Sequence, residues 1–322
     1  GEVATTNYSE ALSLLKFNKY KHELIMQDLG ITEEHLFDLY QEAQEILTEI
    51  NDSRCLTPKL MDHLYSIGER VSTKIFYLLL QKEFKNRDVC LQDSSDIIQT
   101  NESFNQAIPN IEFIKNMSSV KLIPQLRNKR NLIVMQGFIG KTSSGDRTTL
   151  GREGSDYSAA LIAEAIDASS LEIWTDVAGI ATCDPRYFNQ YKIIPALSYD
   201  DATLLAENGA KILFPKTLLP VKRGNIPVRI KSSLFPEKKG TLVSNYISNC
   251  RGIISINIKE TKDFEVRLVG NIDQSIELFN DIAGFNQKNL CFTNVTPDKL
   301  NSLLTQLHLI LFDDFIEVQH RL

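Results

Sequence analysis

Apolar residues recur at helical spacing through the first 82 positions. Leu36, Leu39, Tyr40, Ala43, Ile46, Leu47 and Ile50 share one face, and Met61, Leu64, Ile67, Val71, Ile75 and Leu78 share another. Thr57-Pro58 predicts the start of the second long helix, because Thr is a good N-cap and Pro suits the first helical position. From residue 88 the period changes. Short apolar strands at Asp88–Leu91, Leu132–Gln136, Leu171–Asp176 and Ile226–Lys231 alternate with helical stretches at Asp156–Ile166 and Ser198–Glu207. This alternation predicts an α/β fold of three αβα layers with a mostly parallel sheet. Ser198 with Asp201 reads as a helix start close to a capping box. Segment 100–130 mixes Asn, Pro and Ser with short apolar pieces and reads as irregular, and residues 236–240 read as a turn.

A different unit follows. Its pattern predicts strands at Gly252–Lys259 and Phe264–Val269, a helix at Gln274–Phe285, a strand at Asn289–Asn294, a helix at Pro297–Leu307 and a strand at Leu309–Val318. Two helices among antiparallel strands suggest a small α+β domain. The expected domains are therefore 1–245 and 251–322.

The chain has 322 residues, enough for two domains, and with 43% hydrophobic residues it can bury a sizeable core. A net charge of −6 argues against a nucleic-acid binder. Five scattered cysteines form no CxxC pair and read as reduced thiols. No apolar run reaches the ~18 residues of a membrane span, and no signal peptide is visible, so the expected setting is cytoplasmic.

The centre of the chain carries the chemistry. Gly137, Gly140, Gly145, Gly151 and Gly154 lie between a predicted strand and a helix for which Ser155 is a fair N-cap. Such a loop brings orphan N–H groups and a helix dipole to an anion. It is neither a Walker A loop nor a GxGxxG fingerprint. Arg152 and Asp156 flank the loop–helix junction. The Arg fork suits a carboxylate and the Asp suits an ammonium, although a local Arg–Asp ion pair is the commoner reason for this spacing. A predicted strand then ends in Thr175-Asp176 and leads to Asp184-Pro185-Arg186. Its polar end falls at the carboxyl edge of a parallel sheet, where open α/β folds bind ligands. Trp174 is expected in the core.

These residues resemble the aspartate kinases. The matching strings are Gln136-Gly-Phe-Ile-Gly140, Thr148-Thr-Leu-Gly-Arg-Glu-Gly-Ser-Asp-Tyr-Ser-Ala-Ala160 and Trp174-Thr-Asp-Val-Ala-Gly-Ile-Ala-Thr-Cys-Asp-Pro-Arg186. Ser66-Ile-Gly-Glu-Arg70, Gly209-Ala-Lys-Ile-Leu213 and Asn225-Ile-Pro-Val228 add to them. The resemblance covers most of residues 1–245 and implies an amino-acid-kinase fold that phosphorylates the side-chain carboxylate of L-aspartate with ATP and Mg²⁺. It implies that Arg152 clamps the α-carboxylate, that Asp156 and Glu69 anchor the substrate toward its ammonium, and that Thr6 touches the substrate. Thr175, Asp176, Arg186 and Lys211 are implied on the nucleotide side, with no protein-held metal site. Residues 251–322 resemble the ACT regulatory domain of the same family, which implies a homodimer or higher homo-oligomer and a lysine or threonine effector.

The family's opening Lys-Phe-Gly-Gly phosphate strand has no counterpart, and Leu15-Lys16-Phe17-Asn18 is no substitute. The expectation is that this strand is absent from this chain. Glu153, Ala181 and Phe214 also depart from the pattern. Two other readings stay open: a different amino-acid kinase acting on glutamate or acetylglutamate, and a non-catalytic amino-acid sensor of the same fold.

Overall fold

The computed structural model describes residues 1–32, 36–207, 215–245, 253–258, 263–269, 279, 282, 284–286 and 290–312. Its contacts divide the chain into two compact units, Gly1–Ile166 and Asp167–Leu322. The expected boundary near 245–251 lies largely outside the described residues.

The first unit opens with three helices: α1 (Tyr8–Leu29), α2 (Phe37–Ser53) and α3 (Pro58–Glu83). Asn7 caps α1 by accepting from the Glu10 N–H, and Thr57 caps α3 by accepting from Leu60. The predicted faces bury Tyr40, Ala43, Ile46, Leu47 and Ile50 against Leu60, Ile67, Val71 and Ile75 in one cluster. Strand β1 (Asp88–Gln92) runs parallel to β2 (Asn131–Met135). Segment 100–130 is more ordered than its composition suggests. It holds α4 (Ile111–Lys121) and the short α5 (Ile123–Leu126). Asn110 caps α4, and Ile114, Ser118 and Leu122 are buried at helical spacing. A hairpin of β3 (Ile139–Lys141) and β4 (Arg147–Thr149) then leads into α6 (Gly154–Ala165).

The second unit holds a sheet in the order β5 (Leu171–Thr175), β7 (Val228–Ser232), β8 (Thr241–Ser244), β6 (Ala196–Ser198). The pairs β5/β7 and β6/β8 are parallel, and β7/β8 is antiparallel across the turn expected at 236–240. Helix α7 (Tyr199–Glu207) begins as its sequence predicts: Ser198 Oγ accepts from the Asp201 N–H and donates to the Asp201 carboxylate. Helix α8 (Pro215–Arg223) precedes β7.

An antiparallel sheet follows, ordered β11 (Phe285–Asn286), β12 (Cys291–Val295), β10 (Phe264–Val269), β9 (Ile253–Ile258). Most of the helix expected at Gln274–Phe285 lies outside the described residues, and Phe285 itself belongs to β11. The final helix α9 (Pro297–Phe312) overruns the strand expected from Leu309. Leu300, Leu304, Leu307 and Leu311 keep one buried helical stripe through that point, so the local apolar run was read with the wrong period. His308 on α9 is buried between Phe188 and Phe312, and its Nε2 lies 3.1 Å from Thr182 Oγ1.

Candidate functional site

The cleft of the first unit encloses about 510 Å³, and its lining includes Tyr65, Glu69, Asn105, Phe138, Thr149 and the 151–156 loop. Among the described residues four pieces of chain build it, one of them Phe138 in the turn just before β3. Helix α3 supplies Tyr65 and Glu69, one turn apart on a polar stripe that starts at Asp62. The β4–α6 junction supplies Gly151 through Asp156. The last piece is the loop carrying Asn105.

Asp62 ties three of these pieces together. It is fully buried, and its carboxylate accepts from the N–H of Asn105 and of Thr149, both at 2.9 Å, and from Thr149 Oγ1 at 2.6 Å. Gly151 is needed where the loop turns. Its φ is +80°, and an added Cβ would sit 2.9 Å from the Asn105 carbonyl oxygen. Helix α6 starts at Gly154, two residues before the expected Asp156, so Ser155 is not its cap. Its N-cap position is Glu153, held at φ +54°, and no side chain caps it.

Arg152 is exposed and projects beside this helix start. Its ion pair is with Glu153, Nε to Oε1 at 3.8 Å, and not with Asp156. The local Arg–Asp pair that the i, i+4 spacing allowed is therefore not formed. Asp156 is half-buried, and no described residue donates a hydrogen bond to its carboxylate. Burial, with a smaller push from Glu153, raises its pKa above the ordinary aspartate value. Glu69 accepts one hydrogen bond, from the Gly137 N–H at 3.1 Å. Burial raises its pKa, partly offset by that bond. Among the described residues the cleft thus gathers three carboxylates and one guanidinium with few internal partners, a set suited to a small zwitterion. Glu69, Arg152 and Asp156 come together here. Thr6 is exposed at the end of a short 3₁₀ turn, donates to the Val3 carbonyl at 3.4 Å, and is not among the cleft's lining residues.

In the second unit, Thr175 ends β5 and its Oγ1 donates to Asp176 at 3.1 Å. The Thr175 carbonyl accepts from the N–H and hydroxyl of Ser233 at 2.8 and 3.0 Å. Arg186 is exposed and forked onto Asp184, which raises its pKa further. Lys211 lies outside the described residues, as does Phe214. Trp174 is not core. It is 47% exposed, because it faces away from buried Ile173 on an alternating strand, and Lys231 Nζ sits 4.3 Å over its ring. Among the described residues no group of three His, Cys, Asp or Glu side chains is placed to hold a metal ion. No described helix is long and apolar enough to cross a membrane.

Asp62, Tyr65, Asn105 and Thr149 were not singled out from sequence. The signal for the first two was the polar repeat Asp62, Tyr65, Glu69 on the helix opposite its apolar face.

Residues 12–232 match the model of the Amino acid kinase family. Lysine-sensitive aspartokinase 3 of Escherichia coli is 44% identical over 195 residues, 60% of this chain and 42% of that protein. Aspartokinase 1 of Bacillus subtilis is 32% identical over 77% of this chain and 62% of its own length. The chain spans about half the length of the curated relatives it matches. Among solved structures, E. coli aspartokinase III with aspartate and ADP aligns at a TM-score of 0.64 and 37% identity, covering 70% of this chain and 49% of that one. The same enzyme with lysine and aspartate aligns at 0.72 and 28% identity, covering 87% and 81%.

Proposed function

This chain belongs to the amino acid kinase family, and on that premise we propose that it is an aspartate kinase, which moves the γ-phosphoryl of ATP onto the side-chain carboxylate of L-aspartate. The observation that carries the reading is the cleft in which Arg152, Asp156 and Glu69 converge, in a chain similar to aspartokinases solved with aspartate. Arg152 holds the α-carboxylate through its fork. Asp156 and Glu69, short of donors, take the ammonium, and Thr6 approaches the substrate from the start of α1.

The reacting carboxylate is already ionised near neutral pH, so the step needs no general base. An oxygen of that carboxylate attacks the γ-phosphorus, the bond to the β,γ-bridging oxygen breaks, and ADP leaves with the electron pair. The products are 4-phospho-L-aspartate and ADP. Thr175, Asp176, Arg186 and Lys211 serve the nucleotide. Mg²⁺, when bound with the nucleotide, would supply counter-charge to the transferring phosphoryl group. Residues 1–245 form the catalytic region and 251–322 an ACT-like region that binds lysine or threonine and supports a homodimer, in a cytoplasmic enzyme. The contact of His308 with Thr182, two residues before Asp184, supports a link between that region and the Arg186 loop. Truncation at residue 245 should abolish inhibition by the effector, and inhibition that survives it removes the regulatory reading.

The test is hydroxylamine trapping of the acyl phosphate with the protein at its natural length, Mg-ATP and a panel of aspartate, glutamate and acetylglutamate. Hydroxamate from aspartate alone supports the proposal. Hydroxamate from another substrate moves the protein to a different branch of the family. Aspartate binding without turnover makes it a sensor.

A further inference from the structure

Asn105 stands apart among the cleft residues. Its side-chain carbonyl Oδ1 is sealed from solvent and has no hydrogen-bond partner among the described residues. Buried polar atoms are nearly always paired, so an orphan beside a ligand cleft needs an explanation.

The backbone of the same residue is held with care. Its φ is +68°, in the left-handed region that Asn tolerates better than most residues. Its N–H is fixed at 2.9 Å by the fully buried Asp62 carboxylate, which also holds Thr149. Its carbonyl oxygen packs against Gly151, one residue before Arg152. The main chain is thus clamped on both sides while the side-chain amide stays unused. Around it the cleft is rich in acceptors: Glu69 accepts one hydrogen bond and Asp156 none from the described residues. Such a corner suits a group that carries several N–H donors and a positive charge.

We propose that Asn105 is a substrate-contacting residue whose Oδ1 accepts a hydrogen bond from the α-ammonium of the bound amino acid, with Asp62 as the positioning residue that presents it. This rests on the reading of the cleft as an aspartate site. The competing account is that Asn105 merely fits a left-handed turn. Glycine fits that turn as well, so Asn105→Gly separates the two without disturbing the fold.

The experiment is calorimetric titration of the full chain with L-aspartate and with succinate, which has both carboxylates but no ammonium. A thermal melt of each variant accompanies it. Loss of a hydrogen bond to a charged group predicts aspartate binding at least about tenfold weaker in Asn105→Gly, with succinate binding unchanged. Asn105→Asp, which keeps an acceptor there, should retain aspartate binding within about threefold of the parent. Unchanged aspartate affinity in Asn105→Gly overturns the inference, and so does an equal loss for both ligands. A parent protein that binds neither ligand overturns the aspartate reading itself, and this is seen before any variant is compared.

Discussion

The two groups of site residues are prepared in opposite ways. In the first unit the carboxylates of Asp156 and Glu69 are half-buried and under-paired: Asp156 accepts no hydrogen bond from the described residues and Glu69 accepts one. In the second unit Asp176 and Arg186 are exposed and locally partnered, with Thr175 donating to Asp176 and Arg186 forked onto the half-buried Asp184. In the proposed aspartate site a small zwitterion would meet two carboxylates already partly desolvated and supply their missing partners. In the proposed nucleotide site a polyphosphate would meet an arginine that must first leave a local ion pair, in water that screens both. The first arrangement favours discrimination between substrates, and the second favours exchange.

The sharpest way to break the contrast is Arg152→Ala. It removes the one cation among the described lining residues while their three carboxylates stay, and aspartate kcat/KM should fall by about 100-fold or more. Arg152→Lys should recover little, because a single ammonium does not reproduce the fork. Next in size is Gly240→Ala in the second unit. Gly240 has φ +69°, and a Cβ there would overlap the Ile230 carbonyl oxygen, so the β7–β8 turn must open. Denaturant melts should show a loss of about 3 kcal/mol, with the aspartate cleft of the first unit still able to bind.

Smaller effects test the electrostatics. Burial raises the Asp156 pKa, so the stability linked to its protonation is full below the ordinary aspartate range and is lost as pH rises through the raised value. Asp156→Asn should therefore raise the melting temperature of the ligand-free protein at neutral pH by about 1–3 °C. The two proteins should converge below about pH 4, and the variant should bind aspartate poorly. Parallel melting curves at every pH would contradict this. Smallest in stability is Arg186→Ala, whose exposed pair with Asp184 should change folding by less than about 1 kcal/mol. Its effect should appear as a rise in KM for ATP of about tenfold with aspartate binding untouched.

Where a signal is local, it was legible. The Thr57-Pro58 helix start, the Ser198–Asp201 cap and the buried faces of α2 and α3 all depend on residues a few positions apart, and the structure forms them as expected. The gathering of Glu69, Arg152 and Asp156 was legible only through the family strings, since 83 residues separate Glu69 from Arg152. Asp62 was legible only as a member of the polar stripe it shares with Tyr65 and Glu69, not as a buried anchor. Its hydrogen bonds reach 43 and 87 residues along the chain, and nothing in its neighbourhood marks it as buried. The αL position of Glu153, which displaces Ser155 from the cap, and the exposure of Trp174 are tertiary outcomes of the same kind. Helix α4 was missed for a different reason: Asn and Ser were read as loop residues where Asn110 caps and Ser118 is buried in the helix.

The most direct test of the aspartate cleft is a calorimetric titration of L-aspartate into the full chain beside its Arg152→Ala variant, with glutamate and acetylglutamate as controls. The cleft described here predicts one aspartate bound per chain, at least about tenfold weaker glutamate binding, and no measurable aspartate binding once Arg152 is removed. Aspartate binding of equal strength in the Arg152→Ala variant would contradict it.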